Sequence, residues 1–149
     1  MQNRGFGFTL EQGHPNQVGP RKRPYHTIIP GFVMKDGAPL MSFGVMGGSM
    51  QPQGHLQMMV RIFHYGQNPQ AACDAPRWKV GHGRAVDFES TMAPALVDGL
   101  KALGHRFEAT PDAYMDYGSG QFIWKLSDDL EDGYVAASDS RRDGQAVGY

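Results

Sequence analysis

The sequence has little cysteine, almost no excess charge and no long apolar run. Its one cysteine, Cys73, excludes a framework of internal disulfide bonds. A net charge of -1 leaves no electrostatic footprint for nucleic acid. No apolar stretch approaches the roughly 18 residues that a membrane span needs, and no basic-then-apolar start indicates a signal peptide. These absences argue against nucleic-acid binding, a membrane span and a disulfide scaffold, but they leave the compartment open.

The composition that is present fits one domain with many tight turns. The 149 residues include 20 glycines and 10 prolines, and 40% are hydrophobic, which is enough for a core. Residues 1–24 show no period and are predicted to form a long loop. Strands are predicted over residues 27–34 and 39–45, joined by the turn signal of residues 35–37 into a hairpin. Because both runs are nearly all apolar, we expect burial on both faces.

Helices are predicted to follow the hairpin. Residues 52–65 carry apolar side chains at helical spacing, which predicts one buried face: Leu56, Met59, Val60 and Phe63. Gly66 is the predicted stop of this helix. A short helix is predicted over residues 69–74.

A third helix is predicted over residues 93–103, with Thr91 as its cap and Gly104 as its end. Its apolar side is predicted from spacing: Leu96, Val97, Leu100 and Leu103. Further short strands are predicted at residues 105–108, 121–125 and 134–138. This order of strands, helices and strands indicates a layered α+β fold.

Two adjacent glycines, Gly47 and Gly48, stand just before the first predicted helix. Free backbone N–H groups and the positive end of a helix dipole can hold a negative charge at such a place. Enzymes that attack a carbonyl need such donors to stabilise the oxyanion. Spacing alone favours a simple tight turn, because Gly-Gly is common punctuation between a strand and a helix.

Five stretches carry a resemblance to a known family, and they occur in its order along nearly the whole chain. The stretches are residues 2–5 (QNRG), 22–30 (KRPYHTIIP), 42–49 (SFGVMGGS), 74–77 (DAPR) and 137–144 (ASDSRRDG). They resemble the C-terminal part of the small subunit in the γ-glutamyltranspeptidase family of N-terminal nucleophile hydrolases. The resemblance implies that residues 1–149 are one incomplete domain of a four-layer αββα sandwich, without its inner N-terminal strands.

The resemblance also implies the chemistry. In that family a precursor cleaves itself, and the new N-terminal threonine of the small subunit attacks an amide with its own α-amino group as base. The amides of Gly47 and Gly48 would form the oxyanion hole. Thr9, Thr27, Thr91 and Thr110 are internal and offer no free α-amino group. We therefore expect the chain to be inactive alone, with the large subunit and the N-terminal part of the small subunit as partners.

The substrate side departs from the usual pattern of the family. Gly7 stands where an aspartate normally grips the substrate's α-amino group, and His26 and Thr27 stand where two serines contact its α-carboxylate. Asn3, His26, Thr27 and Gln121 are the implied substrate-binding residues. These departures resemble the branch that contains cephalosporin and glutaryl acylases, so both γ-glutamyl and related acyl amides remain candidate substrates. The alternative function is an inert binding or assembly module, or the remnant of a truncated gene.

The remaining residues predict no metal or cofactor. The histidines show no ligand spacing and no cysteine partner. Cys73 is predicted to be a small buried residue, Arg77 a structural one, and Asp139 a local ion-pair partner of Arg141. A sheet that lacks inner strands has open edges, so we also expect a homo-oligomer.

Overall fold

The computed structural model describes residues 3–81, 83–107 and 117–148, except for the side chains of Asn3 and Leu130. The described strands are β1 (Gly31–Lys35), β2 (Ala38–Met46), β3 (Trp78–Val80), β4 (Ala85–Phe88), β5 (Arg106–Phe107), β6 (Ser119–Lys125) and β7 (Tyr134–Ser138). The described α-helices are α1 (Gln51–Met59), α2 (Pro69–Asp74) and α3 (Pro94–Ala102). A π-helical turn, Val60–His64, continues α1, and a 3₁₀ turn, Gly48–Met50, precedes it.

The larger sheet has the strand order β1-β2-β6-β7, and every neighbouring pair is antiparallel. Its first hairpin confirms the prediction, since Asp36 and Gly37 turn the chain with φ of +50° and +80°. Positive φ at both central residues is what a two-residue I′ hairpin turn requires. The predicted start of β1 at residue 27 is wrong. Pro30 has no N–H to donate, and the Ile29 N–H donates to the Gln51 side chain at 3.0 Å instead of to a strand.

The prediction that the hairpin strands are buried on both faces is wrong. The inner face is closed, with Met41 and Val45 each 1% exposed, whereas Phe32 and Ile123 on the outer face are 59% and 54% exposed. Antiparallel sheets commonly pack one face on the core and leave the other open. The apolar run therefore predicts a strand, but it does not predict which face of that strand is buried.

The core lies between the inner face of this sheet and helices α1 and α2. Its buried cluster is Met41, Val45, Met58, Ile62, Ala72, Cys73, Phe122 and Ala137. Gly54 lets α1 approach β2, because a Cβ on Gly54 would lie 2.7 Å from Val45 Cγ1. A larger residue at position 54 would push the helix off the sheet.

The predicted buried face of α1 is wrong except at Met59, which is partly buried and packs against the core. Leu56 is 57% exposed and Phe63 46%, whereas Met58 and Ile62 are buried. The core face instead includes Gln57, whose side chain donates to the Trp78 carbonyl at 2.9 Å and accepts from the Trp78 N–H at 3.2 Å. A count of apolar residues misses this face, because one of its members is a hydrogen-bonded amide.

The remaining elements confirm some predictions and correct others. The short helix α2 and strand β7 have the predicted bounds, and Gly66 and Gly104 follow their helices with φ of +66° and +86°. The predicted cap Thr91 is wrong, since α3 is capped by Ala93 without a side-chain hydrogen bond.

A second sheet has the order β3-β4-β5. Two of its strands, β3 and β4, were not predicted. The predicted strand at residues 105–108 is present as β5, although Glu108 lies outside the described residues, as does Thr110. The fold is thus mixed helix and sheet, and its four-layer arrangement stays a prediction. In the described part of the chain, no helix has the length and apolar character to cross a membrane.

Candidate active site

A cleft of about 700 Å³ opens beside the C-terminal end of β2. Strand β1 pairs with β2 only as far as Gly31 opposite Phe43, so the last residues of β2 have no strand neighbour on that side. The chain before β1 turns away there and forms the facing wall. The lining residues are Arg4, Thr27, Ile28, Ile29, Pro30, Phe43, Gly44, Val45, Met46, Gly47, Gly48, Gln51, Ser119, Gln121 and Arg142.

Side chains of α1 hold both walls of the cleft. The Val45 N–H donates to His55 Nε2 at 3.0 Å, and the Ile29 N–H donates to Gln51 Oε1 at 3.0 Å. Burial lowers the pKa of His55, which favours the neutral ring that this acceptor role needs. The first turns of α1 therefore fix the edge of β2 and the segment that faces it.

The turn at the end of β2 depends on its two glycines. Gly47 has φ of +135° and Gly48 has φ of +59°, both in the region that L side chains rarely adopt. The Gly47 carbonyl accepts from the Met50 N–H at 3.0 Å, which closes the 3₁₀ turn into α1. Among the described residues, the N–H groups of Gly47 and Gly48 have no backbone acceptor. Two adjacent donors thus stand at the wall of the cleft, ahead of a helix.

A third glycine, Gly118, supports this turn from behind. A Cβ on Gly118 would lie 2.0 Å from the Met46 carbonyl oxygen, and one on Gly47 would lie 3.0 Å from Gly118 Cα. Gly118 itself has φ of +69°. The backbone before β6 and the end of β2 therefore touch at a distance that only glycine permits.

A buried ion pair anchors the segment that contains Gly118. The Arg77 and Asp139 side chains are both 0% exposed and are hydrogen-bonded to each other. Arg77 Nη1 donates to the carbonyls of Tyr117 and Gly118 at 2.9 and 3.0 Å, and Asp139 Oδ2 accepts from the Gly120 N–H at 2.8 Å. Burial alone would raise the pKa of Asp139, but the Gly120 N–H and the charge of Arg77 hold it below its ordinary value. This pair confirms the prediction that Arg77 is structural.

A second ion pair extends the network. Arg141 Nη1 lies 3.1 Å from Asp139 Oδ1, which confirms the predicted pair, and Arg141 Nε donates to Glu89 Oε1 at 2.6 Å. Burial lowers the pKa of Arg141, but the hydrogen bond and charge of Glu89 raise it above its ordinary value. Glu89 also accepts from the Arg77 N–H at 2.6 Å. The Arg141 side chain is therefore tied both to Asp139, which follows β7, and to Glu89, which follows β4.

Four of the six predicted site residues line the cleft together: Thr27, Gly47, Gly48 and Gln121. His26 is exposed and does not line it. The side chain of Asn3 lies outside the described part of the structure. Gly7, the departure from the family's aspartate, is exposed and has nothing within 4 Å of an added Cβ. The roles of these residues stay predictions.

Two cationic residues that were not predicted as site residues also line the cleft. They are Arg4 and Arg142, and no carboxylate is among the described lining residues. Both lie inside the stretches that carry the family resemblance. That position and their positive charge are the features of the sequence that could have identified them. Cys73, by contrast, is fully buried, and burial raises its pKa to about 12, with the charge of Asp139 adding to the shift. No cluster of three or more candidate metal ligands occurs in the described ranges.

Comparison with known proteins identifies the family. The gamma-glutamyltranspeptidase family model matches residues 1–149. The glutathione hydrolase-like YwrD proenzyme of Bacillus subtilis is 36% identical over 99% of this chain and 29% of its own length. The oxamate amidohydrolase proenzyme of Klebsiella pneumoniae is 33% identical over 99% of this chain and 28% of its own length. The chain belongs to the gamma-glutamyltranspeptidase family, and it spans under a third of these two curated relatives.

Solved structures agree with this assignment. Cephalosporin acylase from Bacillus halodurans has a TM-score of 0.89 and 45% identity, covering 100% of this chain and 27% of that chain. A gamma-glutamyltranspeptidase mutant from Pseudomonas nitroreducens has a TM-score of 0.80 at 21% identity, covering 100% of this chain and 79% of that chain. The second likeness shows the fold alone. The mixed helix and sheet fold of this chain is therefore shared with both enzymes.

Proposed function

We propose that this chain is the C-terminal portion of the small subunit of an amidohydrolase or acyl transferase. The observation that carries the proposal is the Gly47–Gly48 turn, where two adjacent backbone N–H groups stand at the cleft wall ahead of a helix. Donors fixed in this way can stabilise the negative charge that develops on a carbonyl oxygen under attack. The network around Arg77 and Gly118 keeps the turn in place before substrate arrives.

The nucleophile of this proposal is a threonine of the parent protein that lies outside residues 1–149. The named relatives are proenzymes and are more than three times as long as the segment that matches this chain. The chain alone then has no amidase activity, and its partners are the large subunit and the rest of the small subunit. The substrates are amides whose acyl group is γ-glutamyl or a related acid, since the relatives include a glutathione hydrolase-like proenzyme and an acylase.

The test is a substitution in the oxyanion turn of the assembled parent protein. Gly48→Ala adds a methyl group where nothing lies within 4 Å, so any effect comes from the strain at φ of +59° and not from a clash. We expect the substitution to shift the turn and to lower kcat by roughly tenfold to a hundredfold, less than the loss of a whole oxyanion donor. The measurement is steady-state release of p-nitroaniline from γ-glutamyl and glutaryl p-nitroanilides.

The matched control is Gly37→Ala in the β1–β2 turn. Gly37 also has a positive φ, +80°, and also has nothing within 4 Å of an added Cβ, but it is not among the lining residues of the cleft. It reports the cost of the same strain elsewhere in the sheet. Equal kcat for the two variants would contradict an oxyanion role for Gly48. An assembled parent without amide turnover on any acyl donor would favour the inert binding module.

A further inference from the structure

The edge of β2 beside the cleft is completed by a side chain instead of a strand. Strand β1 pairs with β2 no further than Gly31 opposite Phe43. Two residues later, the Val45 N–H donates to His55 Nε2 of helix α1 at 3.0 Å. On its other side Val45 pairs with Gly120 of β6, and it is buried. Because a buried N–H without an acceptor is costly, His55 takes the place of a strand partner at this point.

The ring of His55 is held against β2 from two directions. Its centroid lies 4.9 Å from that of the Phe43 ring, and the preceding residue, Gly54, brings the helix backbone close to Val45. Val45 stands two residues before Gly47, which is the first residue of the oxyanion turn. The bond from Val45 to His55 therefore fixes the direction in which β2 enters that turn.

This hydrogen bond exists only with a neutral imidazole ring. The Val45 N–H is the donor, so His55 Nε2 must present its lone pair and the ring proton must be on Nδ1. The imidazolium ion carries a proton on both nitrogens, and its Nε2–H would face the Val45 N–H donor to donor. Gln51, one turn earlier on α1, accepts from the Ile29 N–H at 3.0 Å in the same way, but an amide does not titrate. Of these two bonds from α1 to the cleft walls, the one to His55 therefore depends on pH.

The described surroundings of His55 do not stabilise a protonated ring. Residues 27–30 and strand β2, both bonded to α1, contain no titratable side chain. Asp74 is the carboxylate of α2, and it accepts from Gln70 at 3.1 Å. The other titratable side chains of the cleft and of the described elements around α1 are bases: Arg4, Arg61, His64, Lys79 and Arg142. Burial lowers the pKa of His55 below its ordinary value of 6.5, so the neutral ring is favoured.

We propose that His55 is a positioning residue for the oxyanion turn: the neutral ring holds the end of β2, and protonation of Nε2 releases it. The catalytic part of this statement rests on the proposed function, whereas the release of Val45 does not. Because the folded pKa lies below the ordinary value, the contribution of the neutral ring to the free energy of unfolding declines as the pH falls below about 6.5. The bond itself is lost as the pH falls through the lower folded pKa, so His55 should set an acid limit to activity.

The first test follows Val45 in the native protein and requires no turnover. An NMR titration gives the midpoint of the His55 ring from its Cε1 proton, while the Val45 amide signal reports the hydrogen bond. Both signals should change together, with a midpoint below about pH 6.5. Below that midpoint, the protection of the Val45 amide against hydrogen exchange should fall by about tenfold per pH unit relative to His55→Gln.

Two substitutions separate the acceptor from the titrating ring. In His55→Gln the side-chain amide oxygen accepts from the Val45 N–H at any pH, so the bond should persist and lose its pH dependence. His55→Leu removes the acceptor and should leave the Val45 amide poorly protected at every pH. The matched control is His64→Gln, because His64 is an exposed histidine on the π-helical turn that is not among the lining residues of the cleft. It should keep the pH profile of the native protein.

In an active parent protein, the same variants test the positioning role. His55→Gln should keep a kcat close to that of the native protein near neutral pH, and its acid limb of kcat should move to lower pH. His55→Leu should lower kcat by about tenfold at neutral and acid pH alike, because the oxyanion turn is then displaced. The p-nitroanilide assay of the Gly48→Ala experiment measures both effects.

Three outcomes would overturn the proposal. The first is a Val45 amide that keeps its chemical shift and exchange protection through the His55 titration. The second is a His55 ring that stays neutral down to the acid unfolding of the whole protein. The third is the same acid limb of kcat in the native protein and in His55→Gln. Failure of the proposed function looks different: the assembled parent would show no amide turnover at any pH, while Val45 would still be released as His55 is protonated.

Discussion

At the scale of single residues, the Arg77–Asp139 pair is predicted to contribute strongly to stability. Both side chains are fully buried, and together they bind the backbone of Tyr117, Gly118 and Gly120. Removal of one partner from a buried pair leaves the other charge without compensation, which costs about 3–5 kcal/mol. The pair therefore holds Gly118 where it touches the end of β2, beside the Gly47–Gly48 turn.

We predict that Asp139→Asn lowers the free energy of unfolding by about 3 kcal/mol, because Arg77 then keeps its charge without a carboxylate. Urea unfolding followed by circular dichroism measures the change. The matched control is Asp98→Asn, which breaks the exposed pair with Lys101 and should change stability little. Equal unfolding midpoints for the two variants would contradict the role given to Asp139.

The same carboxyl fixes the sign of one pH effect. The pKa of Asp139 is lower in the folded chain than its ordinary value. The ionised carboxylate therefore contributes to the free energy of unfolding above about pH 4. It is lost as the pH falls through the lower folded pKa, because the unfolded state then binds more protons. Asp139→Asn should remove this part of the loss of folding stability at low pH. An acid-unfolding transition that is the same in the native chain and in Asp139→Asn would contradict this role of Asp139.

At the scale of elements, helix α1 shows what the sequence could and could not predict. Its existence follows from helical spacing, and Gly66 marks where the π-helical turn that continues it has ended. Its orientation does not follow, because Gly54 and Gln57 belong to the core face although neither is apolar in a hydropathy count. The close approach of Gly54 to Val45 and the hydrogen bonds of Gln57 to Trp78 are tertiary contacts.

The orientation of α1 gives a direct prediction. Met58→Ala should lower the free energy of unfolding by about 2–5 kcal/mol, because Met58 is 0% exposed in the core. Leu56→Ala, two residues away on the outer face, should cost far less, since Leu56 is 57% exposed. The reverse order of the two losses, measured by urea unfolding, would support the apolar face predicted from spacing and contradict the structure.

Some of the strands could likewise be predicted from the sequence, and others could not. The β1–β2 hairpin and β7 were predicted because turn residues or an apolar run mark them. Strands β3 and β4 were missed because they have only three and four residues and lie around a glycine-rich turn. In the site, Gly47 and Gly48 can be recognised from the sequence because they are adjacent glycines. The position of Arg142 cannot, because it contacts Met46, which is 96 residues away in the sequence. The sequence therefore predicts features set by neighbouring residues, but it does not predict contacts between residues that are far apart in the chain.

At the scale of the whole molecule, the chain belongs to a family whose named members are longer than it is. It covers 29% of the YwrD proenzyme and 27% of the Bacillus halodurans acylase. Its larger sheet leaves Phe32, Ile123 and Tyr134 more than half exposed on the outer face. The expected homo-oligomer through sheet edges stays a prediction, and light scattering of the pure chain tests it.

We infer that this chain works inside an acyl-transfer enzyme whose threonine nucleophile lies in another segment. The most direct measurement is native mass spectrometry of the protein from its source, with peptide mapping of every polypeptide in the assembly. We predict an assembly well above the 16.4 kDa of this chain, with a large-subunit polypeptide and a processed N-terminus that begins with threonine. A lone 16.4 kDa product that begins at Met1 and binds no such polypeptide would contradict it.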